Sequence, residues 1–203
     1  MANYSFRKFQ PLSLRLWHWF NAIVILGLLL TVLLRKTLFN WRTNSPLIEE
    51  KLKAVGTVIT PDLAKEIAIA IRNPLWDWHI YLGFSLGVLW FGRILIGLFV
   101  EKRIPGFPVF KKAALHYNFV KSGYAVFIFA TLIMVLSGFM LNFKTEIGLS
   151  KDFAGTIKEI HELLMWFFVV FIGGHLVGVV IAENGNDPGL VSDMIHGGDR
   201  QKK

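Results

Sequence analysis

The chain has no cysteine among its 203 residues. Without sulfur it cannot form disulfides, thiolate zinc sites, iron–sulfur clusters, cysteine-based active sites or the thioether links of c-type haem. Charged residues are also scarce, at 18% of the chain compared with roughly 25% in an ordinary soluble domain. Hydrophobic residues make up 54%, which is more than the core of a soluble protein of this size could remove from water. The composition therefore predicts a membrane protein.

The formal net charge is +8, yet no segment combines basic and aromatic residues along a polar face. Nucleic-acid binding is therefore not expected. In a membrane protein, excess basic charge serves orientation and attraction to anionic lipid. The expected partner of the basic residues is the lipid bilayer.

Four apolar runs are long enough to cross a bilayer core of about 30 Å as helices, which takes about 20 residues each. They cover approximately residues 12–34, 76–100, 117–141 and 157–182. Helix is expected because an unpaired backbone group in lipid costs several kcal/mol. The first run is too long for a signal peptide and ends in Arg35-Lys36, so it is expected to be retained. The predicted fold is an all-α membrane protein, a four-transmembrane-helix bundle forming one domain over residues 1–203, with a polar tail at 183–203.

A short helical insert is expected between spans one and two, at about residues 45–72. Ser45-Pro46 and Thr60-Pro61 each resemble a helix start, with a capping residue followed by proline at the first helical position. After Thr60, apolar residues recur at helical spacing, which predicts a short amphipathic helix. It would either lie on the membrane surface or belong to a solvated hairpin that packs on the bundle ends.

Four of the six histidines fall inside the spans, where an ionisable side chain indicates function. Because successive spans alternate in direction, the start of span one and the end of span four share one membrane face, here called side A. His18 and His175 therefore lie near side A. His79 and His161 open spans two and four and lie near the opposite face, side B. The sequence predicts two facing pairs, one near each face.

His161 and His175 are 14 residues apart on one helix. At about 100° per residue this falls only ~40° short of four turns, and at about 1.5 Å per residue it separates the rings by ~21 Å. One helix thus presents two imidazoles on the same side, one for each leaflet.

Two opposed imidazoles are too few ligands for zinc, which prefers four. They suit the two axial positions of a haem iron, giving a closed centre that transfers electrons. Since the chain has no cysteine, the haem must be held non-covalently. The predicted cofactors are two haem b groups, ligated by His18 with His175 and by His79 with His161.

Glycines near the ligands, including Gly173, Gly174 and Gly178, would either make room for haem or allow close helix packing. The tryptophans that flank two of the ligands are first interpreted as an interfacial aromatic belt. They are Trp17, Trp19, Trp76 and Trp78.

Haem propionates need cations, and the candidates on side A are Arg93 and Arg15. Arg93 follows His79 by 14 residues, so it shares the inward face. For Arg15, snorkelling to the interface is the favoured interpretation. His116, at the start of span three, is a weak candidate for binding a haem propionate or a quinone headgroup. An ordinary position at the membrane interface is the simpler interpretation.

Three segments resemble the bacterial cytochrome b561 and nickel-iron hydrogenase b-type cytochrome family. They are LRLWHWFNA around His18, WDWHIYLGFSLGVLWFGRI from Trp76, and IHELLMWFFVVFIGGHLVGVVIAENGNDPGLVSDMIHGG from Ile160. The resemblance covers about residues 11–198. It implies a dihaem cytochrome b of the bacterial inner membrane, in a respiratory chain, that exchanges electrons between quinone and a redox partner. His18, His79, His161 and His175 match the axial ligands of the family.

The resemblance also implies cytoplasmic termini. The charges do not decide the orientation, because ten Lys or Arg residues fall on each side. The partner would be a periplasmic redox enzyme, such as a hydrogenase, or an electron-carrier subunit. Alternatively, the chain acts alone as an oxidoreductase that passes electrons from superoxide or a small donor to quinone.

Two other classes of function stay open. One is a haem-free bundle whose histidines relay protons or a divalent metal, although no acidic residue lies deep in a span. The other is a structural membrane scaffold, which leaves four costly polar side chains without a purpose.

Overall fold

The computed structural model describes residues 9–102, 104–105, 107, 115–185 and 187–198. Regular structure within these ranges is entirely helical. The helices are α1 (Leu12–Lys36), α2 (Trp41–Ala54), α3 (Pro61–Leu95), α4 (Leu115–Asn142), α5 (Lys151–Glu183) and α6 (Leu190–His196). Most of the basic residues of both termini lie outside the described residues.

Four helices are long and apolar enough to cross a membrane, which confirms the predicted fold class. They are Leu12–Lys36, Pro61–Val100, Leu115–Asn142 and Lys151–Glu183. Large apolar side chains point outward along them, for example Val88 and Val170, each 73% exposed. In water such exposure would be costly, whereas in a bilayer these side chains contact lipid.

Several polar side chains are buried within the spans. Asn21, Thr31, Arg93, Thr131 and Ser137 are all less than 9% exposed. This distribution is the reverse of that in a soluble protein, and it is expected where the surrounding medium is hydrocarbon.

The insert between the first two spans is helical, but it begins earlier than expected. α2 starts at Trp41, and its N-cap is Asn40, whose side chain accepts a hydrogen bond from the Arg42 backbone N–H at 3.0 Å. The expected start at Ser45-Pro46 is wrong, because Pro46 lies inside this helix. Asparagine is as good an N-cap as serine, so the earlier cap extends the helix.

The second helix of the insert starts at Pro61 as predicted, with the Thr60 hydroxyl accepting from the Leu63 N–H at 3.2 Å. It does not end before span two. α3 and the π-helical turn Ile96–Val100 form one 40-residue helix, about 60 Å long and therefore about twice the bilayer core. Pro74 lies within it. The sequence between Arg72 and Trp76 offers no glycine cap that would stop the helix there.

By packing, the chain divides into two compact units. The first comprises Met1–Asn21 and Leu86–Lys203, and the second comprises Ala22–Ser85. In the first unit α4 packs along α5, and the buried core includes Phe127, Ile128 and Phe168.

The second unit holds the rest of α1, all of α2 and the first part of α3. Ala64 and Ala68 are its most buried side chains. The Lys65 ammonium lies 5.1 Å from the centre of the Trp41 ring, which holds α2 against α3.

Candidate functional site

His18 and His175 face each other in the first unit, as the depth argument predicts. Their ring centroids are 6.2 Å apart and the rings are tilted by 55°. A metal ion between two imidazoles needs about 2.0 Å to each nitrogen, and each ring adds about 1.1 Å from nitrogen to centroid, for a total of ~6.2 Å. The observed separation therefore fits an iron held between the two rings.

The His18 ring is not held by the protein through its Nδ1 atom. This atom is buried and has no hydrogen-bond partner among the described residues. Trp19 contacts the ring edge-on, at 5.1 Å between centroids, and Phe171 lies parallel to His175 at 6.4 Å. The pair is thus framed by aromatic rings, a suitable surrounding for a flat macrocycle.

The glycines beside His175 open onto free space. A Cβ added to Gly173, Gly174 or Gly178 would meet no described atom within 4 Å. Close helix packing would place neighbours at that distance, as at Gly87, where the added atom would lie 3.3 Å from Val135. The three glycines near His175 are exposed and are not sites of close helix packing among the described residues.

His161 is fixed by its neighbours on α4. Its Nδ1 lies 2.8 Å from the Ser137 hydroxyl, and a Cβ at Gly138 would lie 3.2 Å from His161 Cε1. The ring therefore lies close to the backbone at Gly138, where an added Cβ would require the imidazole to shift by a few tenths of an ångström.

We expect Gly138→Val to displace the His161 ring and to lower the haem content of the purified protein. The added branched side chain would occupy the position of the imidazole edge. Haem per chain, measured as the pyridine haemochrome, tests this expectation. Gly123→Val is the control on the same helix, because a Cβ there meets no described atom within 4 Å. Full haem content in Gly138→Val would contradict the assigned role of this contact.

His79 lies in the second unit, in a stack of three side chains. Its Nδ1 is 2.8 Å from the Thr31 hydroxyl. The Trp76 ring is parallel to the imidazole at 4.9 Å between centroids, and the Arg35 guanidinium lies 5.0 Å above the other face of this indole. His79 and His161 belong to different units, and their pairing stays a prediction.

Two of the tryptophans differ from the interfacial belt that the sequence suggests. Trp17 is only 9% exposed, and its indole N–H donates to the Leu89 carbonyl at 2.7 Å. Trp76 stacks on His79, as described above. Trp78 is 61% exposed, which agrees with a belt position. A polar N–H on a large apolar ring suits both settings, so sequence alone does not separate them.

Arg93 is 2% exposed and forms an internal cluster in the first unit. Its Nη2 pairs with Glu101 Oε1 at 3.0 Å, and its Nε donates to the Tyr124 hydroxyl. The guanidinium also lies 5.4 Å from the Trp17 ring. Its Nη1 is buried and has no hydrogen-bond partner among the described residues.

Arg15 contacts the terminal helix. Its guanidinium donates to the Ile195 carbonyl, and the Gln10 N–H donates to the Gly197 carbonyl at 2.8 Å. These bonds hold the end of α6 against the start of α1. His116 and His196 are both exposed, and the role of His116 stays a prediction.

The sequence reasoning missed the polar neighbours of the side B ligands. Arg35 donates to the Arg72 carbonyl at 3.5 Å, and Arg72 Nε is buried without a hydrogen-bond partner among the described residues. A signal was present for Arg72, which precedes His79 by seven residues, about two helical turns on the same face. Thr31 and Ser137 offered no signal, because hydroxyls in spans usually bond their own helix.

Comparison with protein families gives one match. The family model for prokaryotic cytochrome b561 matches residues 10–197, a range that contains all four span histidines. No curated protein sequence and no solved structure matches the chain significantly. Within the described residues, no three His, Asp or Glu side chains converge as a divalent-metal site requires.

Proposed function

Because this chain belongs to the prokaryotic cytochrome b561 family, we propose that it carries electrons across the bacterial inner membrane through two haem b groups. The family is one of multi-pass membrane b-type cytochromes in electron transfer, and the four long apolar helices agree with it. The bound haems would supply reversible one-electron chemistry. The number of haems, the electron donor and the acceptor are parts of the proposal.

The separation of 6.2 Å between the His18 and His175 rings carries the proposal. This separation equals the distance that two imidazoles would keep on either side of an iron. The three glycines beside His175 leave space for the macrocycle. An imidazole from His18 and one from His175 would together hold a haem that supplies electron-transfer chemistry and not oxygen activation.

The side B ligands are assigned as His79 and His161. Each has its Nδ1 hydrogen-bonded to a hydroxyl, so Nε2 is the nitrogen that would ligate iron. Their positions along the sequence support the pairing, since His79 and His161 lie near the starts of the apolar runs 76–100 and 157–182.

Arginines near both faces are candidates for the haem propionates. On side A these are Arg93 and Arg15, whose Nη1 and Nε atoms respectively are buried without hydrogen-bond partners among the described residues. On side B the paired Arg35 and Arg72 have the same capacity. Guanidinium groups suit carboxylates because they can donate two parallel hydrogen bonds.

We propose that both termini are cytoplasmic, so that side B faces the periplasm and side A faces the cytoplasm. Electrons would then pass between a periplasmic redox partner and quinone. Moving one charge fully across the membrane changes the free energy by about 2.3 kcal/mol per 100 mV. Purification in mild detergent tests the partner: a stable large enzyme supports a subunit role, whereas an isolated chain that reduces quinone with superoxide or a small donor supports action alone.

We expect two haem b groups per purified chain and two distinct midpoint potentials. The environments of the two pairs differ, since hydroxyls hold the side B ligands while His18 Nδ1 has no described partner. The pyridine haemochrome measures the stoichiometry, and a potentiometric titration measures the midpoints. A chain purified without haem after expression with ample haem supply would refute the function and favour the haem-free relay of protons or a divalent metal. One haem per chain would refute the second site.

A further inference from the structure

The two side B histidines share an arrangement that the side A pair lacks. His79 Nδ1 lies 2.8 Å from Thr31 Oγ1, and His161 Nδ1 lies 2.8 Å from Ser137 Oγ. Thr31 is 8% exposed and Ser137 is 5% exposed, so water does not compete for these hydroxyls.

Each hydroxyl also bonds a carbonyl of its own helix, three residues earlier. Thr31 Oγ1 donates to the Leu28 carbonyl at 2.7 Å, and Ser137 Oγ donates to the Met134 carbonyl at 3.0 Å. A carbonyl can only accept, so the single hydroxyl proton is used there. With the hydroxyl proton directed at the carbonyl, the hydroxyl oxygen accepts from the imidazole and Nδ1 carries the proton.

We propose that Thr31 and Ser137 are positioning residues that hold His79 and His161 with the proton on Nδ1 and the lone pair on Nε2. This proposal rests on the proposed function, because Nε2 is then the atom offered to the haem iron. The hydroxyls also fix the rotation of each ring about its side chain. Outer hydrogen bonds of this kind raise the basicity of a ligating imidazole.

The proposal predicts which of the two haem sites has the lower midpoint potential. A more basic ligand stabilises ferric iron relative to ferrous iron, which lowers the midpoint potential. On side A the buried His18 Nδ1 has no hydrogen-bond partner among the described residues. The side B site is therefore the one of lower potential, and electrons pass downhill from side B to side A when no membrane potential opposes them.

The test uses the purified haem-loaded full chain with Thr31→Val, Ser137→Ala and the double variant. Each removes a hydroxyl with little change in volume. In a potentiometric titration, we expect the midpoint potential of one of the two haem components to rise in each single variant. The expected rise is up to about 59 mV, which corresponds to a tenfold change in the preference for ferric over ferrous iron. The double variant should shift the same component further.

Thr131→Val is the matched control. Thr131 is 2% exposed and its hydroxyl donates to the Phe127 carbonyl at 2.7 Å, without contact to a histidine. It should leave both components unchanged. Equal shifts in the control, or unshifted components in Thr31→Val and Ser137→Ala with two haems retained, would overturn the proposal.

Conservative variants separate the hydroxyl from its carbon skeleton. Where Thr31→Val or Ser137→Ala loses a haem, Thr31→Ser and Ser137→Thr should retain it, because both keep the hydroxyl. Loss in these variants as well would overturn the proposal. Failure of the function itself is distinguishable, since the unaltered chain would then bind no haem.

Discussion

His161→Ala is expected to reduce the haem content from two b haems per chain to one. The substitution removes one axial ligand on side B and leaves His175, 14 residues further along α5 and ~21 Å away. The His18–His175 pair at 6.2 Å is outside its reach. The pyridine haemochrome per chain measures the loss.

Two further variants make this result decisive. His175→Ala should also lose one haem, and the component that disappears from the titration should be the other one. By the potential order argued above, His161→Ala should retain the higher-potential component. His116→Ala is the control, since His116 is exposed at the start of α4. Unchanged haem content in His161→Ala, or loss of both haems, would mean that the pairing is wrong.

Arg93→Met is expected to destabilise the folded protein by about 3–5 kcal/mol, the usual cost of removing one member of a buried ion pair. Glu101, only 10% exposed, would lose its partner at 3.0 Å, and the Tyr124 hydroxyl would lose a donor. The Trp17 ring would also lose the cation above it. Unfolding of the purified protein in detergent, followed by helical circular dichroism, gives the change.

Removing both charges should recover much of this loss. In Arg93→Met combined with Glu101→Gln no buried charge is left unpaired, so the double variant should be more stable than Arg93→Met alone. Lys158 and Glu162 provide the exposed comparison, at 3.7 Å with more than half of each side chain exposed. Lys158→Met should change stability little. Equal effects of Arg93→Met and Lys158→Met would show that the Arg93 cluster contributes nothing beyond a surface pair.

Local rules placed the four spans correctly. The apolar length needed to cross a bilayer is read along the chain, and all four predicted spans lie within observed helices. The side-A pairing of His18 with His175 follows from the alternation of span direction and from helical periodicity, and these rings do face each other. Such properties require no knowledge of which helices touch.

The breaks between helices were predicted less well. Ser45-Pro46 has the pattern of a helix start, but the Asn40 cap begins α2 earlier. The Pro61 helix continues through Pro74 into span two. Proline marks only a probable boundary, because neighbouring residues decide whether the helix resumes.

The sequence by itself determined that the chain lies in a membrane and where its four spans run. Only the tertiary structure decided that Arg93 pairs with Glu101 and that Thr31 and Ser137 hold the side B imidazoles. The physical reason is the distance along the chain over which each interaction acts. Hydrophobic length and helical phase are set by neighbours in the chain, whereas a hydrogen bond of 2.8 Å depends on the packing of helices that are distant in sequence.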